Sequence, residues 1–201
     1  MNDDDEKADL IAKLGSKDDR VTWQAAYRLA DRGWLYDGTL KGVQLQGANL
    51  HEIFISKANL ENANLDEAII AGSDLSEAIL KGATLRRADL RGANLDGAVA
   101  EGALFESAQC FRAFFSGNFQ EASFSHADLQ HAILGENFWG ASFQNADLRN
   151  AKLMDVDFSN ADLQGALLKD AVLEKVRYSP STILPNGRLW RKDGDLSEFT
   201  R

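Results

Sequence analysis

Cysteine, proline and histidine are nearly missing from this chain of 201 residues, which holds one Cys, two Pro and three His. A lone thiol, Cys110, excludes an intrachain disulfide and any site built from several thiolates, and it suits a reducing compartment. Its ordinary role is that of a small buried apolar residue. Long apolar runs are missing too. No uninterrupted stretch approaches the roughly 18 residues of a membrane span, and the opening MNDDDEKADL has neither a cationic nor an apolar leader region. The chain is therefore read as cytoplasmic, with no membrane partner. Positive charge is in deficit: 22 Lys and Arg stand against 31 Asp and Glu, a formal net charge of -9. That balance disfavours direct nucleic acid binding, leaves basic partners open and favours solubility.

What is present is a beat. In EGALFESAQCFRAFFSGNFQEASFSHADL, residues 101–129, an apolar residue recurs every fifth position, apart from a step of four between Phe115 and Phe119. Three frames run from Leu40 to Phe115, from Phe119 to Leu134 and from Phe138 to Tyr178. Of their 29 centres, 24 are Leu or Phe, and the residue two before the centre is Ala in 21. On an α-helix, steps of five turn successive centres by roughly 140° and scatter them round the cylinder. On a straight strand they point to opposite faces. A chain that corners once per unit sends the centre i and residue i-2 inward every time, and closes a coil that stacks on the next.

The coil size follows from the aromatic centres. Phe119, Phe138, Phe158 and Tyr178 form one series and Phe105, Phe124 and Phe143 another, at four units per interval. Four units per turn make each series a column of stacked rings. Both shortened steps, 115 to 119 and 134 to 138, then fall at one corner of consecutive coils, where a matched slip is absorbed locally. In the second, either Phe138 with Glu136 or Trp139 with Asn137 can be the inward pair; alignment with the ring column favours Phe138.

The units ANLEN, ADLRG, ANLDG, ASFQN, ADLRN and ADLQG resemble the pentapeptide repeat family, with its motif A(D/N)LXX, over about residues 38–178. The resemblance implies an all-β solenoid, a right-handed quadrilateral β-helix with four units per coil and Ala and Leu or Phe lining its interior. The departures are Ala100 and Cys110 at the centre, and Gly38, Val43, Ile53, Ser73, Gly117, Glu136, Val156 and Val176 two before it. Glu136 is the one charged inward candidate. The array makes about seven coils, and its end coils need caps because their backbone edges are unpaired. Three regions are expected: an acidic N-terminal segment and short α-helical cap over 1–33, the β-helix over 34–178, and a capping tail over 179–201. Residues 7–32 read as two helices, one ending at Leu14 and Gly15, the other running from near Ser16 through Val21, Ala25 and Leu29 to Gly33. In the tail, LPNG is a turn signal and Trp190 is expected to cover the last coil.

Chemistry is sparse. His51, His126 and His131 fall at outward positions without a third ligand type at metal-binding spacing, and no nucleophile, base and orienting group can be assembled. No enzyme, metal or cofactor is expected. Gly82, Gly92, Gly97 and Gly102 sit at corners rather than in a phosphate-binding loop. Arg86, Arg87 and Arg91 form a small basic group whose simplest role is local charge balance. The unusual feature is apolar and outward: Phe111, Phe114, Trp139 and Met154 flank the shortened corner. These four are the candidate interaction patch, for a protein partner or for self-association, unless they fold over the irregular corner and repair its packing. The function expected is a noncatalytic protein-protein interaction scaffold on a rigid acidic rod. The alternative, which comes from the resemblance alone, is a DNA-mimicking protein that binds DNA gyrase and confers quinolone resistance.

Overall fold

The computed structural model describes residues 2–192 and 196–201. Two helices come first, α1 over Asp3–Leu14 and α2 over Asp19–Asp31. The first helix begins earlier than the apolar spacing predicts, because Asn2 caps it: its side-chain oxygen accepts from the amide of Asp5 at 2.8 Å. Asp3, Asp4, Asp5 and Glu6 then fill the turn where the helix dipole favours negative charge. Asp18 caps the second helix in the same way, so that helix starts later than expected.

From Leu40 onward the chain winds. Backbone bridges join the residue before a centre to one about twenty further on in four separate columns, which start at Gln44, Asn49, Phe54 and Asn59. Four columns mean four sides. One side is regular enough to form a parallel five-stranded sheet: β1 Asn94–Val99, β2 Phe114–Asn118, β3 Ile133–Asn137, β4 Lys152–Asp157 and β5 Val172–Glu174, in that order. Inside, Ala and Leu or Phe of successive units are buried from Leu40 to Leu168. The rings stack as the spacing requires, Phe105 on Phe124 at 4.6 Å and Phe124 on Phe143 at 5.1 Å, both within a few degrees of parallel. Phe119 stacks on Phe138 at 5.0 Å, whereas Phe158 turns edge-on to Phe138.

The structure also explains the Asp or Asn before each centre. Its side-chain oxygen accepts the amide two residues on and pins the turn, as Asn64 does for Asp66, Asp74 for Ser76, Asp128 for Gln130 and Asp147 for Arg149. The residue two after the centre then takes a left-handed conformation, with φ near 60° at Glu67, His126 and Asn160 among others. Asn137 makes the same turn bond to the amide of Trp139, and Phe138 is buried while Trp139 is exposed. Phe138 is thus the inward residue.

In a step of four, the corner residue of one unit is also the i-2 residue of the next. Those two roles conflict, and the two shortened steps settle the conflict differently. Gly117 is buried against the coil below, with φ of 124°. Glu136 keeps the corner role instead, with φ of 69°; its exposed carboxylate accepts from the hydroxyl of Ser116 at 3.1 Å. This corrects the reading of Glu136 as an inward residue: a carboxylate finds water there rather than a dry interior. The slip is matched between coils, since Phe115 pairs with Leu134 and Asn118 with Asn137, and the sheet absorbs it as register shifts at β1/β2 and β3/β4.

Both ends are closed by backbone bonds. The amides of Asn49 and Asn59, which in mid-array would donate to a coil below, donate to the carbonyls of Ser16 and Leu35. Leu10, Leu14, Ala25, Ala26, Leu29 and Trp34 extend the core across this junction. At the far end Leu163 donates to Ile183, the LPNG turn closes through Gly187 to Leu184, and Trp190 stacks on Tyr178 at 5.9 Å.

Candidate functional site

Each side of the coil places three side chains outward per unit, so a surface feature is a column of residues about twenty apart. Several ion pairs cross from one coil to the next. Lys41 meets Glu61 at 2.7 Å, Lys81 meets Glu101 at 3.1 Å, Arg87 meets Glu67 at 2.6 Å, and Arg86 lies between Asp66 at 3.6 Å and Glu106 at 2.7 Å. Arg91 folds onto Asp89 at 2.6 Å, and its hydrogen bonds hold that carboxyl below the usual carboxylate range. The three arginines of the basic group are therefore all paired. His51, His126 and His131 are exposed, and among the described residues no cluster of three His, Cys, Asp or Glu could hold a metal. Cys110 is fully buried, and burial pushes its thiol well up.

The four patch residues lie around the side formed by β1 to β5. Phe114 and Met154 stand on it, 45% and 41% exposed, in neighbouring columns: Phe114 pairs with Ile133, and Met154 with Gly135 and Glu174. Trp139 is at the corner that ends this side one coil on, 40% exposed. Phe111 lies round the preceding corner, half-buried, with the His131 ring edge-on at 5.3 Å and the Arg112 guanidinium over its face at 5.1 Å. Phe114, Met154 and Trp139 thus border one open side, whereas Phe111 is turned toward its own corner.

A second apolar surface escaped the sequence reading. Trp23 and Tyr27, one turn apart on the outer face of α2, stack at 6.1 Å, and across from them Phe54 projects from the first coils with 69% of its surface exposed. Between them runs an open groove of about 560 Å³ lined by Asp19, Arg20, Trp23, His51, Glu52 and Phe54. A smaller hollow of about 150 Å³ continues it past Tyr27 and Ile53. Phe54 holds the same place in its unit as Phe114, directly before the centre. An outward aromatic at that position was the available signal.

The repeats match the profile of the pentapeptide repeats in eight copies, over residues 40–82, 83–117 and 137–170. The chain belongs to the pentapeptide repeat family. Its coil is accordingly the right-handed quadrilateral β-helix, and the stretch the profile skips, 118–136, is bounded by the two shortened steps. HetL, a pentapeptide repeat protein involved in heterocyst differentiation regulation from the cyanobacterium Nostoc sp. strain PCC 7120, is 31% identical; the match covers 75% of this chain and 86% of HetL, with a TM-score of 0.27. Rfr23, a pentapeptide repeat protein from the cyanobacterium Cyanothece 51142, is 30% identical over 52% of this chain, with a TM-score of 0.31, and the match spans 65% of its length. QnrB1, a plasmid-mediated fluoroquinolone resistance protein, is 20% identical over 70% of this chain and 84% of its own, with a TM-score of 0.42. No curated protein sequence matches significantly. Among the described residues, no helix is long and apolar enough to cross a membrane.

Proposed function

We propose that this pentapeptide repeat protein is a noncatalytic scaffold that docks a protein partner on the side formed by β1 to β5. The observation that supports it is the exposure of Phe114, Met154 and Trp139 on and beside one rigid sheet. Large apolar side chains exposed on one side of a fold are enriched at interaction sites. The scaffold is taken to work in the cytosol, where the lone, buried Cys110 needs no disulfide partner. The triple variant F114S/W139S/M154S should keep the circular dichroism and melting temperature of the parent and lose the partner captured from host lysate by the parent chain. Unchanged capture would remove the proposal.

The gyrase-binding alternative is the weaker reading. A DNA mimic needs fixed carboxylates standing free as phosphates do, whereas here Glu61, Glu67, Glu101 and Glu106 are each paired with a cation of a neighbouring coil. A supercoiling assay decides between them, and no effect on gyrase is expected at micromolar protein, with or without a quinolone.

A further inference from the structure

We propose that two copies of the chain associate through the groove between α2 and the first coils, about a two-fold axis. An isologous interface needs a patch that complements itself, with ridge and hollow side by side. This patch has both: the Trp23–Tyr27 stack, 52% and 65% exposed, is the ridge, and the groove of about 560 Å³ in front of Phe54 is the hollow. Trp and Tyr are also the residues that most often anchor interfaces.

Charge selects a second copy as the occupant. Lys41, Lys81 and Arg87 of the rod find carboxylates one coil away, whereas the rim of this groove carries a cation and an anion without such partners. Among the described residues, Arg20 makes no ion pair, and the only basic side chain near the Glu52 carboxylate is His51, at 3.5 Å. Arg20 and Glu52, on the same rim, satisfy each other when a second copy is rotated onto the first. Arg20 then faces the second copy's Glu52 and the reverse, so each contact occurs twice. Asp19, also on the rim, accepts a hydrogen bond from the side-chain amide of Asn49, which ties it to the first coils of its own chain.

The test is sedimentation equilibrium of the full chain at micromolar concentrations. The parent should be a dimer, and W23S should weaken it about tenfold or more. R20E and E52R bring like charges together twice and should each be monomeric. An equimolar mixture of R20E and E52R should dimerise, because both contacts in the mixed pair are again of opposite charge. All three sites are on the surface, and unchanged circular dichroism confirms folding. A monomeric parent, R20E and E52R that both stay dimeric, or a mixture that stays monomeric would each overturn the proposal. F114S, on the partner-docking side, should leave the dimer unchanged; a dimer lost with F114S and kept with W23S would also overturn it.

Discussion

Gly117 lies directly on the backbone of Ala98 in the coil below: a Cβ placed on Gly117 would come within 2.3 Å of the Ala98 carbonyl oxygen. This contact lets a four-residue step stack on a five-residue one. Gly117→Ala meets both that clash and a φ of 124° that suits glycine alone. A loss of about 3 kcal/mol or more is expected in chemical denaturation. Gly135→Ala should cost much less, because its nearest neighbour, the Met154 carbonyl oxygen, would be 3.4 Å away.

Ser73 is the one hydroxyl in the Ala column. Its Oγ donates to the Leu50 carbonyl at 2.6 Å and accepts from the Ile53 amide at 3.2 Å, bridging one coil to the next. Ser73→Ala has the residue the repeat prefers and should nonetheless destabilise the fold by about 1 to 3 kcal/mol, since two buried backbone groups lose a partner. Thermal unfolding of the variant beside the parent measures it; a rise in melting temperature would contradict the account.

Cys110 should be silent to thiol reagents until the coil opens, because the thiolate is the reactive form and burial disfavours it. The sign of the pH effect follows. A folded-state value raised above the unfolded one favours the protonated fold, so this contribution is complete below about pH 8.5 and is lost as pH climbs past it. Denaturation midpoints should therefore fall on the alkaline side, and more shallowly in Cys110→Ala.

The helical cap carries a load out of proportion to its size, because the amide of Asn49 donates to Ser16 between its helices and that of Asn59 to Leu35 just after them. Placing charges in its buried seam with Leu14→Asp and Leu29→Asp should detach both helices and bare a sheet edge. Light scattering should then report self-assembly, while a β-type circular dichroism signal survives.

How much of this was legible differs from residue to residue. The inward pairs were readable because burial repeats: one Ala and one Leu or Phe per corner is a pattern no single helix or strand can satisfy. Glu136 was misplaced because a shortened step gives one residue two roles, and spacing alone does not say which role it keeps. The Trp23, Tyr27 and Phe54 surface was missed for another reason. Its parts are thirty residues apart in the chain, and only the docking of α2 against the first coils brings them together.

The amino-acid order by itself determined the winding, the four units to a turn and the placing of aromatic rings above one another, because each depends on contacts that recur at a constant interval. Tertiary structure alone decided how Gly117 and Glu136 divide the irregular corner, which carbonyls close the first coil, and which outward side chains share a surface. Those outcomes turn on single contacts between distant segments, and a contact made once leaves no period to read.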